Sequence, residues 1–459
     1  MRIETGTPST KYCDGLSRRS FLQIGVAGMA GVSLPQILQA KEESAQLGLE
    51  KKDTSVILIW LDGGLSHIDT YDMKPEAPSE YAGIWRPIRS KVPGMEMTSL
   101  FPKQAKVADK FSIVRSVHHD AGDHFTGAHW MLTGRGGVSG GMKAGKFPSI
   151  GSIATKVLGS RKEGMPAYTS IPYAMSVGLR PGYFGGNYLG VQNDPFVTGT
   201  APNSPSFKVR SLELPKGLTL DRLDDRRGLK EHFDTLRRDV DQSGMIDAMG
   251  RFDQQAYEFV TGERARKAFD ISQEDSRLRD RYGRNSLGQS VLLARRLVEA
   301  GSTFVTCHSG GWDDHWNLEP KYEKRLPEVD TAVSALFEDL SQSGLLEKTL
   351  VVLCGEFGRT PKMNDGGNGG PPLSKGTPGC DHWGNAMSVL MGGGGVKGGI
   401  VVGSTNSRGE VPKDRPLRPG DIHHTIYHVL GVDPSTHFLD NSGRPVAAID
   451  HGAVISELI

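Results

Sequence analysis

Val56-Ile57-Leu58-Ile59-Trp60, followed by Leu61 and then Asp62-Gly63-Gly64, is the stretch that decides the fold. Five apolar residues in unbroken succession lack the alternation of a strand with one wet face. They read as a strand buried on both faces, the habit of a parallel sheet. An aspartate and two glycines directly after the run mark the strand's carboxyl end, where open parallel sheets bind ligands. Glycines there let the backbone turn sharply and bring a ligand close.

The same pattern recurs outward from this point. Phe111–Val117, Thr303–His308, Thr349–Cys354 and Ala386–Met391 are apolar runs of strand length, and Ile400–Val402 is a short sixth. Helical patterns lie between them. Ser286–Ala300 (SLGQSVLLARRLVEA) sets Leu287, Val291, Leu292, Ala294, Leu297 and Val298 in one stripe, and Gly301 stops it. A second helix is predicted over Leu326–Ser341, and a third over Asp421–Leu430 with Asp421 as its N-cap. Alternating strands and helices predict an α/β protein with a mostly parallel sheet. Two stretches break the rhythm. Residues 165–210 (RPGYFGGNYLGVQNDPFV at their centre) carry no lasting period and read as a long shaped loop. Residues 215–285 are highly charged and helical, as in DRLDDRRGLKEHFDTLRRDVD, and read with the loop as an insertion of about 165–285. Residues 362–380 form another loop, rich in Gly, Pro and Asn.

The N-terminus reads as an address. Ser17-Arg18-Arg19-Ser20-Phe21-Leu22 places an arginine pair before a Gly/Ala-rich apolar stretch, the layout of a twin-arginine export signal, with processing expected near Ala40. Residues 1–40 are therefore set apart, and residues 41–459 are expected to form one domain. No later segment reaches the roughly 20 apolar residues of a membrane span. The first forty residues carry four Lys/Arg and two Asp/Glu, which leaves 50 basic against 51 acidic residues. That balance argues against nucleic acid or an anionic membrane surface as partner. Of the 4 cysteines, Cys13 leaves with the signal, Cys307 and Cys354 end apolar runs and read as buried thiols, and Cys380 is open to a zinc thiolate but has no CxxC partner.

Polar residues cluster where the apolar runs end. Gly311-Trp312-Asp313-Asp314-His315 follows one strand, Gly355-Glu356-Phe357-Gly358-Arg359-Thr360 another, and Cys380-Asp381-His382-Trp383 precedes a third. Carboxylate oxygens with imidazole nitrogens suit a divalent ion such as zinc or manganese. His118, His119, His124 and His129 crowd into twelve residues, and a helix opens near Thr126. A helix start offers free N–H groups to an oxyanion, which makes His124 and Thr126 candidates for nucleophile or anion contact. Arg359 is a candidate for gripping a phosphate or sulfate, or else a brace for its loop. His423, His424 and His428, on the last helix, read as structural.

These motifs resemble the bacterial domain-of-unknown-function family 1501, within the alkaline-phosphatase and sulfatase superfamily. The pieces that carry the resemblance are the arginine-pair leader, WLDGGLSHIDTYDMKP, LTGR, LGQSVLLARRLVEAG, GGWDDHWN, GEFGRTP and GCDHWGN. It implies an alkaline-phosphatase-like three-layer sandwich, helices on both faces of the sheet, with metals at its carboxyl edge. It places Asp62 at the first-strand metal aspartate and Asp313 and His315 at an Asp and a His for one ion. Glu356 falls where an Asp-His pair usually begins, and His382 at the late metal histidine. Phe357 replaces the second member of that pair, and His124 falls at the nucleophile position. The Cys/Ser-x-Pro-x-Arg string of formylglycine sulfatases is absent.

The expectation is an exported, metal-dependent hydrolase of phosphate or sulfate esters that does not use formylglycine. One or two ions of zinc, manganese or calcium would be held by Asp62, Asp313, His315, Glu356 and His382. The substrate would be an anionic ester, such as a sulfated or phosphorylated sugar, and the location periplasmic or extracellular. The alternative is a non-catalytic exported protein that uses the same scaffold to bind a sugar polymer or a partner.

Overall fold

Ser55–Leu61 (β1) is buried along its whole length, and its side chains alternate between two cores. Ile57, Ile59 and Leu61 enter one core, while Val56, Leu58 and Trp60 enter the other. Successive strand residues point to opposite faces, so an unbroken apolar run is what a sheet covered on both sides demands. The structure is a computed structural model that describes residues 53–136, 146–177, 182–209, 262–366 and 375–459, with Leu212 and Phe259. The arginine-pair segment, most of the charged stretch at 215–261 and the middle of the 362–380 loop lie outside these residues.

The remaining strands of the central sheet are Ser112–Val117 (β2), Tyr168–Ile171 (β3), Phe196–Val197 (β4), Phe304–Ser309 (β5), Thr349–Cys354 (β6), Met387–Gly392 (β7) and Val401–Val402 (β8). Their order is β8-β2-β7-β6-β1-β5-β3-β4. Pairing is parallel throughout except that β7 runs antiparallel to both its neighbours, β2 and β6. One expectation is corrected here. Residues 165–210 are not wholly loop, because β3 and β4 lie within them and extend the sheet beyond β5.

Helices cover both faces. Ser286–Ala300 matches the predicted span, with Asn285 accepting the Gly288 N–H at 2.8 Å and Gly301 ending it at φ 116°. With the long helix Leu318–Gln342 it packs on the Ile57 face. That second helix starts eight residues earlier than predicted. It runs through Pro327, although proline removes a helical donor, and Leu318, Tyr322 and Leu326 all bury against the core. On the Trp60 face lie His124–Thr133 (α1), Ile150–Leu158 (α2) and Pro419–Leu430. The last of these begins before Asp421. Arg418 is the cap, and its N–H donates to the Asp421 carboxylate at 2.7 Å, so Asp421 acts from inside the first turn. Among the described residues no helix is long and apolar enough to cross a membrane.

Strand direction sets up the site. β1, β5 and β6 all end at one edge, and the register pairs Trp60 with His308 and with Cys354. Asp62 and Glu356 therefore lie level, each two residues beyond a paired position. Because β7 is antiparallel it enters the sheet at this same edge, which brings the preceding Cys380-Asp381-His382 to the ends of the other strands.

Candidate metal centre

Backbone contacts fuse the three loops before any side chain is considered. Gly63 has φ 121°, and a Cβ there would lie 2.3 Å from the Asp313 nitrogen and 2.5 Å from the Trp312 carbonyl carbon. Only glycine lets the loop after β1 touch the loop after β5. The Gly63 N–H then donates to both Glu356 oxygens, at 2.8 and 3.0 Å, which ties in the loop after β6. Arg359 closes the assembly. Its guanidinium donates to the carbonyls of Gly63, Gly64 (3.2 Å), Trp312 (3.2 Å) and Cys380 (3.1 Å), and to Asp313 Oδ1 at 2.7 Å. Arg359 is 0% exposed. Its donors are all spent on the loops, which it braces.

Around Asp313 three imidazoles converge. Its Oδ2 lies 3.1 Å from His124 Nε2, and its Oδ1 lies 2.9 Å from His315 Nε2 and 3.2 Å from His382 Nε2. The two latter nitrogens are themselves 3.1 Å apart. Ligand atoms of His124, Asp313 and His382 all fall within 4.8 Å of one another, the spacing a bound ion needs. Each imidazole is also held from behind. His124 Nδ1 meets Glu356 Oε1 at 2.6 Å, His315 Nδ1 meets Asp381 Oδ1 at 2.6 Å, and His382 Nδ1 meets the Gly122 carbonyl at 2.9 Å. Phe357 supplies an apolar wall, stacked on His382 with ring centres 4.6 Å apart and 5.1 Å from His124.

Local sequence explains these placements. His124 opens α1 because Asp123 caps it, its carboxylate accepting from the N–H of Phe125 and Thr126 at 3.1 Å each. Arg359 pairs with His382, and Gly358 with Trp383, in a two-residue antiparallel ladder. His119 Nε2 lies 2.6 Å from the Glu356 carbonyl and holds that loop from below.

The proton chemistry follows from these neighbours. Burial opposes charge on His124, but Asp313 and Glu356 outweigh it and raise its pKa to about 9. The Asp313 contact raises His315, against the opposing effect of burial. Burial would lift Asp313, yet the imidazoles of His124, His315 and His382 and the Arg359 guanidinium hold it far below the usual carboxylate range. Burial pushes Glu356 up, and the Asp62 carboxylate adds to the rise. His119, donating to a carbonyl inside the protein, is lowered by burial to about 4.

The predicted ligands thus divide. Asp313, His315 and His382 come together. Glu356 sits behind His124 and on Gly63, so its role is contact with an imidazole and a backbone N–H. Asp62 is 2% exposed; its Oδ2 accepts the Val177 N–H at 2.7 Å and lies 3.3 Å from His308 Nε2. It is outside the His124–Asp313–His382 group. Thr126 is half-buried, and the first N–H groups of its helix are taken by Asp123 rather than left for an oxyanion. Cys307, Cys354 and Cys380 are buried free thiols, and burial pushes the Cys354 thiol up to about 12. Two contributors were not singled out from sequence, Asp381 and the Gly122 carbonyl. Asp381 had a signal, its place next to His382; a backbone carbonyl has none.

No curated protein matches the sequence. Several solved structures are similar. A sulfatase from Pseudoalteromonas sp. (PsFucS1) has 15% identity and a TM-score of 0.33, over 89% of this chain and 72% of that one. A protein of the alkaline phosphatase superfamily from Vibrio parahaemolyticus has 11% identity and a TM-score of 0.36, over 83% and 67%. A magnesium-bound mutant of TAB5 alkaline phosphatase has 13% identity and a TM-score of 0.35, over 84% and 100%. The family described as "Protein of unknown function (DUF1501)" matches residues 53–459, and the chain belongs to it.

Proposed function

We propose that the protein is an exported, metal-dependent hydrolase of phosphate or sulfate esters that works without formylglycine. The observation that carries this reading is the convergence of His124, Asp313 and His382 at the strand ends, with ligand atoms within 4.8 Å of one another. Two imidazole nitrogens and a carboxylate oxygen are a donor set for a borderline divalent ion. His124 Nε2 is also buried, 3.1 Å from Asp313 Oδ2. When bound, a divalent ion at these residues supplies Lewis acidity toward an ester oxygen. The residues do the rest. Arg359 fixes Asp313 and balances its charge, and Glu356 fixes His124. Phe357 keeps water from one side of His382. The substrate class in this reading is an anionic ester, a sulfated or phosphorylated sugar among them. Export follows the arginine pair at Arg18-Arg19, with the periplasm or the medium as destination.

A second reading is favoured by a specific observation. Arg359 is fully engaged and Asp123 caps the α1 N–H groups, so neither grips an anion. A non-catalytic protein that binds a sugar polymer or a partner would need no such grip. Metal content and hydrolysis separate the two. Purified protein, supplied with zinc, manganese or calcium in turn, is assayed on aryl phosphate and aryl sulfate. Hydrolysis of either ester that disappears with chelator and in His382→Ala supports the enzyme. Bound metal without turnover on either ester moves the binding reading ahead. Retention of an Arg18→Lys/Arg19→Lys precursor in the cytoplasm tests export, and unchanged export removes that part.

A further inference from the structure

Asp-His-Trp occurs twice in the sequence, as Asp314-His315-Trp316 and Asp381-His382-Trp383, and the two tryptophans part company in the fold. Trp383 follows His382 in a short strand, where successive side chains leave on opposite faces. Its indole donates to the Glu410 carbonyl at 2.7 Å. Trp316 instead stays with its histidine, the two rings stacked with 6.3 Å between centres and 23° between planes. The indoles of Trp60, Trp130 and Trp312 each donate to a protein oxygen, as Trp383 does. Trp316 is half-buried, and among the described residues its indole N–H donates to none. A tryptophan neither covered nor hydrogen-bonded, beside a centre histidine, is placed to meet a ligand.

The ring is held firmly from behind. The Cys380 N–H donates to the Asp314 carbonyl, Asn317 to Thr377 and Leu318 to Pro378, each at 3.0 Å. Gly379 lets these two segments touch, since a Cβ there would lie 2.2 Å from the His315 carbonyl carbon and 2.3 Å from the Trp316 nitrogen. Lys321 donates to the Trp316 carbonyl at 3.0 Å and sets its ammonium 4.9 Å from the ring centre. Next in sequence, Asn317 is exposed, with φ 56° and ψ 41° in the left-handed region. It stands at the start of the long helix Leu318–Gln342, yet its side chain caps nothing. Capping needs extended backbone, and the left-handed turn leaves the amide to solvent.

Hydrogen-bond character selects the ligand. An indole N–H only donates, a carboxamide donates and accepts, and neither is charged. Anionic oxygens only accept, and are met best by charged donors. Lys321 and Arg325 are both spent on Asp314, at 2.9 and 2.8 Å. Sugar hydroxyls donate and accept, and a sugar ring turns a C–H face toward an aromatic one. We propose that Trp316 and Asn317 form a carbohydrate subsite at the rim of the centre, seating the uncharged ring of a sugar whose ester lies at the centre. This deepens the hydrolase reading and rests on it only for where the ester lies. Lys321 and Asp314 are positioning residues behind the ring.

The test is an array of neutral, sulfated and phosphorylated oligosaccharides, with single-stranded oligonucleotides beside them, probed with the purified protein. The best-retained sugar is then titrated by calorimetry against variants. Trp316→Ala should weaken it about 10- to 100-fold, the loss of an aromatic anchor. Trp316→Phe keeps a flat ring without the N–H and should lose roughly 3- to 10-fold, the scale of one neutral hydrogen bond. Asn317→Gly removes the amide while glycine accepts the backbone conformation freely, and should also lose roughly 3- to 10-fold. Trp383→Phe should bind as the wild type does, and all four variants should keep its far-ultraviolet circular dichroism. No sugar retained by the wild type overturns the subsite. So does equal affinity in Trp316→Ala and Asn317→Gly, or retention of oligonucleotides in place of sugars. Hydrolysis of aryl esters without sugar binding ends this inference and leaves the hydrolase reading standing. Sugar binding that depends on Trp316, without turnover of any ester, keeps the subsite and ends the hydrolase reading.

Discussion

Two groups of histidines in this protein have opposite fates. His124, His315 and His382 each face an acceptor through one nitrogen and a shared carboxylate through the other. His129 and His423 also face an acceptor through one nitrogen, the carbonyls of Arg135 at 2.7 Å and Met131 at 2.9 Å. Their second nitrogens, His129 Nε2 and His423 Nδ1, are buried and meet no partner. The edges of Tyr183 and Tyr427 lie nearby instead. One carboxylate makes the difference. With it His124 rises to about 9; without it burial lowers His129 and His423 to about 4. A histidine-rich sequence therefore reveals its chemistry only when the second nitrogen's neighbour is known.

The largest expected effect breaks the first group. His124→Ala and His382→Ala should each weaken zinc on the order of 100- to 1000-fold, since a bound ion's free energy is shared among few ligands. His423→Gln should leave zinc affinity intact, and chelator competition on the three variants checks the contrast. Equal affinities would erase the distinction between the groups.

The next effect belongs to the second group and is read as stability against pH. For His129 and His423 the folded pKa, about 4, lies below the ordinary value of about 6.5. The unfolded chain thus binds more protons between these values. Their contribution is full above pH 6.5 and is lost as pH falls toward 4, by roughly 2–3 kcal/mol per histidine. Urea midpoints at pH 7, 6 and 5 measure it. His423→Gln should flatten the slope, and an unchanged slope would mean that the bare nitrogen is not the cause.

Smaller effects sharpen the boundary between the groups. Phe357→Leu loosens the wall on His382 and His124 and should cost about 1–2 kcal/mol in thermal or urea unfolding, a moderate core loss. Zinc affinity should fall by less than the ligand variants do. Thr126→Ala should change turnover no more than about two-fold, the scale of a substitution away from special contacts. A large loss there, in the assay on aryl esters, would return the hydroxyl to the chemistry.

Much of this arrangement is legible in the sequence. Runs rich in apolar residues mark β1, β2, β5, β6 and β7 because both sheet faces are covered, and the polar clusters beside β1, β5, β6 and β7 announce the edge. β3 and β4 escaped because Tyr168–Ile171 is only four residues long, Phe196–Val197 only two, and both lie among glycines and prolines. Within the site, residue types and strand ends suffice to nominate Asp313, His315 and His382. They do not reveal that Glu356 turns to His124, 232 positions away. Nor do they reveal that Arg359 spends its donors on carbonyls. Both depend on which way a side chain leaves a loop, and spacing along the chain does not carry that.

The small ladder joining Gly358–Arg359 to His382–Trp383 has an evolutionary consequence. It pinches shut the base of the excursion from Thr360 to Asp381, which leaves the sheet after β6 and re-enters through β7 at the same edge. Chain length above a closed base is nearly free: each doubling costs only about 0.6 kcal/mol in closure entropy. Related proteins can lengthen, shorten or replace this excursion without shifting the register of any strand or moving His382. Selection can thus recut the excursion while the centre stays put, which makes it the natural place for the family to diversify.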